Sequence, residues 1–253
     1  MPDSLDATLV RQEWATYTDA QHAVWATLYA RRMPALHRTA SRVFLEGAEA
    51  IGLESEFIPE LAVLNRRLSA RTGWSAVPVS GFLPAGEFFR SLARRQFPTT
   101  ITIRPADRLD YVPEPDIFHD VFGHVPLHAD PVFADFLQQF GAVAARAEGP
   151  VAVERMARLF WFTVEFGLIR EGGEVKVYGS GLISSHADAA KALGPECERR
   201  PFDLDAVLAQ PFEIDHLQQV LFVVEDFRQL FRAVEAVEAR LTVDRPPTSL
   251  PPI

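Results

Sequence analysis

The sequence predicts a mainly α-helical domain with minor β structure. Three observations lead there: apolar residues recur at helical intervals over much of the chain, β-branched runs are few and short, and no alternation of strands with helices points to a Rossmann or barrel fold. At 253 residues the chain can bury an extensive core. No linker or repeat period divides it. A single domain over residues 1–253 is therefore expected, with an N-terminal extension to about residue 18 and a Pro-rich tail from about residue 245.

Between Asp19 and Leu53 the residues Val24, Trp25, Leu28, Tyr29, Met33 and Leu36, then Val43, Phe44 and Ile51, fall at helical spacing. They predict two amphipathic helices with a break at Pro34 and a stop at Gly52. Pro59 to Leu68 predicts a short helix. Thr72 to Pro84 is expected to be largely irregular, because Gly73, Pro78, Gly81 and Pro84 punctuate it. Ala85 to Ala93 resumes a helix, and Phe97 to Ile103, rich in β-branched residues, reads as a strand. The next helix is expected to start after Pro113 or Pro115 and to stop near Gly123, since glycine suits a left-handed helix end and Pro126 follows. A strongly apolar helix is predicted through Leu159, Phe160, Trp161, Phe162, Val164, Phe166 and Leu168. Beyond the turn at Gly172-Gly173, Glu174 to Tyr178 offers a second short strand. Asp205 to Ala209 and Asp226 to Leu241 read as helices, the latter with Phe227, Leu230, Phe231, Val234, Val237 and Leu241 on one side.

A net charge of −9 and a pI near 5.3 argue against nucleic acid or an anionic membrane as the main partner, because those surfaces demand excess Lys and Arg. The single cysteine, Cys197, excludes an intramolecular disulfide. The N-terminus lacks the basic and apolar regions of a secretory signal, and no apolar run reaches the roughly 18 to 20 residues that span a bilayer. A soluble, cytoplasmic protein is expected.

Chemistry concentrates in Pro-Asp-Ile-Phe-His-Asp-Val-Phe-Gly-His, which holds His119 and His124, and in Trp-Phe-Thr-Val-Glu-Phe-Gly, which holds Glu165. Two imidazoles and a carboxylate on one face, with coordination positions left open, suit a non-haem Fe(II) oxygenase. Residues five apart on an ideal α-helix are rotated by about 140°, so the histidines cannot share a metal unless the helix ends or turns between them. Glu165 sits in an apolar run, where an unpaired carboxylate is costly to bury and a metal would remove the cost. Each residue also has a plainer reading. Lone histidines are commonly satisfied by backbone carbonyls, and a buried glutamate can pair with an arginine. His22 and His37 read as surface or packing residues, His128 as a helix-flank residue near the site rather than a ligand, and His216 as undetermined. The same three ligands would suit a zinc hydrolase, although His-Glu-x-x-His is missing. A non-catalytic helical domain that binds a ring-shaped ligand is the third reading, and nineteen phenylalanines fit either a large core or an aromatic pocket.

The segments Pro113-Glu-Pro-Asp-Ile-Phe-His-Asp-Val-Phe-Gly-His-Val-Pro-Leu127, Phe160-Trp-Phe-Thr-Val-Glu-Phe-Gly167 and Tyr178-Gly-Ser-Gly-Leu-Ile-Ser-Ser185, in this order, resemble the pterin-dependent aromatic amino acid hydroxylases. Weaker similarity extends from about Asp19 to about Leu241. The resemblance implies a hydroxylase-like catalytic domain with His119, His124 and Glu165 as ligands of Fe(II). It further implies that L-phenylalanine is converted to L-tyrosine with O2 and tetrahydrobiopterin or a related tetrahydropterin. Arg104 matches the arginine that clamps the substrate carboxylate, a pairing a guanidinium makes through two parallel hydrogen bonds. Pro115, Trp161 and Ser184 match positions around the substrate. Their plainer readings are a helix start, a core aromatic and a turn hydroxyl. Val79 to Pro84, including Gly81 and Leu83, resembles the pterin-binding segment, with Phe88 rather than Phe89 as the stacking ring. Asp120 matches an acidic position near the pterin.

Two departures concern substrate and pterin contacts and leave the iron ligands untouched. Val112 stands where some relatives have a hydroxyl residue, and Pro98 where some animal members have a histidine. Neither the regulatory domain of animal relatives nor a long C-terminal heptad helix is expected, so a monomer is expected. Another aromatic amino acid, such as tryptophan, is the alternative substrate, because one or two pocket side chains shift preference by only ~1–3 kcal/mol.

Overall fold

Residues 8–81, 83–110, 114–213 and 218–243 are described in the computed structural model, with 241–243 described by backbone only. Val112, His216 and the Pro-rich tail lie outside the described residues. Helix α1 (Asp19–Thr39) opens with a capping box between Thr18 and Gln21. Pro34 lies inside α1 and does not break it, contrary to the sequence expectation. The missing backbone hydrogen bond is outweighed by packing, because Leu28, Arg32 and Leu36 on either side of the proline form one buried stripe. The break falls instead at Ala40, after which Ser41 caps α2 (Arg42–Ile51) and Gly52 ends it as expected.

Helix α3 (Leu61–Thr72) leads into β1 (Ser75–Val79), a strand within the stretch expected to be irregular. It pairs in parallel with β2 (Gln96–Thr100), and α4 (Ala85–Ala93) crosses between them over the predicted residues. Pro78 is tolerated because both strands of a two-stranded sheet are edges. The Asn65 side chain brackets Ala76, donating to its carbonyl at 2.8 Å and accepting from its amide at 2.7 Å. β2 stops at Thr100, three residues short of the predicted Ile103.

Helix α5 (Pro131–Ala144), capped by Asp130, is not anticipated by the sequence reading. Helix α6 (Pro150–Phe160) passes into a π-helical turn over Trp161–Glu165, and the apolar run then becomes a strand, β3 (Leu168–Glu171), instead of continuing as helix. β3 forms a hairpin with β4 (Glu174–Val177) through Gly172 and Gly173, whose φ values of 59° and 85° suit a two-residue turn. The short helix α7 (Ser180–Ser184) and helix α8 (His186–Leu193) follow. β5 (Glu198–Pro201), α9 (Leu204–Ala209), β6 (Val220–Val224) and α10 (Phe227–Val243) complete the described chain. The second sheet has the order β4-β3-β6-β5, with β6 parallel to both of its neighbours. The fold is mainly helical with minor β structure, as predicted, the strands forming two small sheets among the described residues.

One hydrophobic core links Trp25 and Phe44, through Phe118, Phe122, Phe133 and Phe140, to Phe222 and Leu230. No described helix is long and apolar enough to cross a membrane.

Candidate metal centre and adjoining cavity

His119 and His124 share one turn because Phe118–His124 is π-helical. In this geometry backbone bonds link residues five apart, so side chains at that spacing come to one side. Gly123 neither adopts a left-handed conformation nor stops the helix, which runs on as a 3₁₀ turn over Val125–Ala129. The glycine serves a close approach instead: a β-carbon there would lie 3.0 Å from the Ser180 carbonyl oxygen of α7. On the inner side of the turn, Phe118 and Phe122 stack at 4.5 Å and meet Trp25 edge-on. This aromatic anchor leaves His119, Asp120 and His124 facing the opposite side, towards a cavity.

Glu165 ends the second π-helical turn, where the Phe166 amide donates to the Trp161 carbonyl five residues earlier. One donor atom from each of His119, His124 and Glu165 lies within 4.8 Å of the other two. His124 Nε2 is 3.1 Å from Glu165 Oε1, and His119 Nε2 is 3.6 Å from Oε2. Ser180 Oγ donates to Oε2 at 2.8 Å, and Ser184 Oγ lies 2.9 Å from His119 Nδ1. Burial opposes ionisation of Glu165, but the two imidazoles and the Ser180 hydroxyl outweigh it and hold its pKa at about 2. A largely buried carboxylate, ionised and faced by two imidazole nitrogens, suits a bound cation.

Asp120 accepts hydrogen bonds from the Thr100 amide at 2.7 Å and the Thr100 hydroxyl at 2.8 Å. Burial nonetheless raises its pKa, an effect that His119 and Thr100 only partly offset. Arg104 and Asp116 form a buried bidentate pair, with both contacts at 2.8 Å. Asp116 also accepts from the His119 amide at 3.0 Å, tying this pair to the first candidate ligand. Burial pushes the Asp116 carboxyl up, but Arg104 and the backbone amides of His119 and Arg104 prevail and lower it.

The cavity beside the triad has a volume of about 540 Å³. Gly81, Leu83, Phe88, Pro115 and Asp120 line it together with the three candidate ligands. Phe88 presents its ring there, whereas Phe89 is buried against Phe140. Arg104, Trp161 and Ser184 are not on its walls. Ser184 reaches the centre through His119, and Trp161 packs between Phe166 at 4.8 Å and Phe212 at 4.9 Å. His128 is buried beside Trp74 and Phe97. His22 is a packing residue that accepts from the Ile58 amide, and His37 is exposed. A separate surface groove of about 730 Å³ between α6, α9 and α10 contains none of the predicted residues.

Asp116, Ser180 and Thr100 are site residues that sequence reading does not single out. Asp116 alone carried a local signal, an acidic residue three positions before His119 at a helix start.

A family model described as biopterin-dependent aromatic amino acid hydroxylase matches residues 12–246. The phenylalanine-4-hydroxylase of Caulobacter vibrioides is 45% identical over 222 residues, which are 87% of this chain and 76% of that protein. Its Chromobacterium violaceum counterpart is 41% identical over 232 residues, 91% of this chain and 78% of that protein. A crystal structure of the Chromobacterium violaceum enzyme with bound iron(III) and the oxidised cofactor 7,8-dihydrobiopterin superposes with a TM-score of 0.88 at 40% identity, covering 94% of this chain and 88% of that one. With a matching family model from residue 12 to residue 246 and such relatives along most of its length, the chain belongs to the biopterin-dependent aromatic amino acid hydroxylases.

Proposed function

We propose that this chain hydroxylates L-phenylalanine to L-tyrosine, using O2 and a tetrahydropterin, at an Fe(II) held by His119, His124 and Glu165. The carrying observation is the convergence of two imidazoles and one carboxylate, with donor atoms within 4.8 Å, on the wall of a cavity large enough for small-molecule ligands. Phenylalanine hydroxylase activity in relatives that align with most of the chain supports the substrate.

When bound, iron and reduced pterin supply the oxygen-activating redox chemistry. The chain's own residues position and exclude. His119 and His124 offer ring nitrogens and Glu165 its carboxylate, a set that leaves coordination positions open. With Nε2 on the metal, Nδ1–H of His119 would be the donor to Ser184 Oγ, a contact of 2.9 Å that holds the ring in place. Ser180 does the same for the carboxylate by holding Oε2. Phe88 offers a face for the pterin ring, and Gly81 and Leu83 border the same space. Asp120, held by Thr100, faces the pterin side, and Pro115 borders the substrate ring. Arg104, braced by Asp116, receives the substrate carboxylate. Trp161 supports the ligand-bearing turn from behind, through Phe166 and Phe212.

A single catalytic domain, acting as a cytoplasmic monomer, belongs to the same proposal. The continuous core and the lone buried cysteine support it.

The test is anaerobic reconstitution with Fe(II), followed by air, a tetrahydropterin and L-phenylalanine, with tyrosine quantified against a His119→Ala control. Tyrosine that forms only with iron, pterin and intact His119 is the expected outcome. Product from L-tryptophan in place of L-phenylalanine would reassign the substrate, and failure to bind iron would overturn the triad.

A further inference from the structure

Arg32 lies in α1, far from the cavity in sequence and outside its walls, yet it is only 3% exposed. Burying a guanidinium is costly, and no carboxylate lies in ion-pair contact with it among the described residues. Burial lowers its pKa to about 10, with only partial compensation from the charge of Asp188. Its donors go to backbone carbonyls. Nε donates to Ile183 at 2.7 Å and Nη2 to Leu182 at 2.9 Å, while Nη1 donates to His186 Nδ1 at 3.3 Å.

Those two carbonyls belong to α7, a five-residue helix whose last turn otherwise leaves orphan acceptors. The same short helix carries Ser180 at one end, on Glu165 Oε2, and Ser184 at the other, on His119 Nδ1. Leu182 and Ile183 lie between the two serines. A fork that grips both carbonyls therefore sets where both hydroxyls stand.

We propose that Arg32 is a positioning residue for the metal centre, acting through α7 on the orientation of His119 and Glu165. This rests on the reading of His119, His124 and Glu165 as metal ligands. Its chemistry is that of an outer partner, whose loss commonly weakens metal binding by roughly 10- to 100-fold.

The experiment titrates the whole apo-protein with Co(II), reading affinity and the visible absorption band, alongside thermal melting of the metal-free form. Arg32→Met should weaken Co(II) binding by roughly 10- to 100-fold and shift the band. Arg32→Lys, which keeps the charge and can reach one carbonyl, should recover part of the affinity and gives a folded variant should Arg32→Met fail to fold. Ser184→Ala should also weaken binding, and adding Arg32→Met to it should cost less than the two single losses combined, as coupled sites require. A merely structural arginine would lower the melting temperature while leaving the affinity and band of the folded protein unchanged, and that result would overturn the proposal. Additive losses in the double variant would overturn it too. Absence of Co(II) binding by the unaltered protein would instead remove the ligand triad itself, and this role with it.

Discussion

Arg104 commits three of its donors within the protein, Nε and Nη2 to the two oxygens of Asp116 and Nη1 to the Leu109 carbonyl. A guanidinium has five N–H groups, so two remain for a substrate carboxylate. The side chain is the partner of a buried acid and, in the proposed function, also the substrate clamp, and two substitutions separate these roles. Arg104→Lys keeps a charge near Asp116 but loses the planar fork, and should raise KM for phenylalanine by roughly 10- to 100-fold, the equivalent of one charge-assisted bond. Arg104→Ala should in addition cost about 3–5 kcal/mol of stability, because it strands the Asp116 carboxylate in the interior. Steady-state kinetics and thermal melts read the two effects, with Co(II) binding retained in Arg104→Lys. A KM unchanged by that variant would remove Arg104 from substrate recognition.

Helix α7 and the two π-helical turns meet so closely that glycine is required at the contact. A β-carbon on Gly179 would collide with the Glu165 carbonyl and the Gly167 amide, both backbone atoms that cannot swing aside. Gly179→Ala should therefore destabilise by about 1–3 kcal/mol, the usual range for overpacking. It should also weaken Co(II) binding, as Ser180 withdraws from Glu165. Calorimetry and metal titration would check this; a variant with unaltered melting and affinity would show that the contact has slack. Sequence patterns reveal some of this architecture and miss the rest for physical reasons. Helix α4 follows its pattern residue for residue because Pro84 marks its start and its apolar face is regular. β6 is buried along most of its length and β5 is exposed at every residue, so neither shows the alternation that betrays a strand. The π-helical turns match no 3.6 or 2.0 period. Their presence is implied only by the five-residue step between His119 and His124. The ligand triad is legible because its side chains declare their chemistry. The residues that hydrogen-bond to it are ordinary serines and an aspartate, the farthest, Ser184, coming from 65 positions beyond His119.

Acid should destabilise the whole molecule through His128. Burial and the neighbouring His124 lower its pKa from 6.5 to about 3, so between those values the unfolded chain binds a proton that the folded chain refuses. Stability is full above pH 6.5 and falls as pH drops, reaching a loss of about 2 kcal/mol by pH 5. His128→Leu should abolish this component, giving a flatter profile of melting temperature between pH 7 and pH 5. A profile equal to that of the unaltered protein would show that the imidazole is protonated in place. The wide turn of Phe118–His124 has a further consequence for the chain as a whole. It accommodates one residue more than the α-turn that could replace it. A wide turn absorbs its extra residue locally, so deleting one would let Phe118–His124 close as regular helix with the downstream chain still in phase, and would shift the side chains inside the turn against one another. At this point in the chain the residue count sets how the two histidines stand to each other, and their identity sets what they can bind.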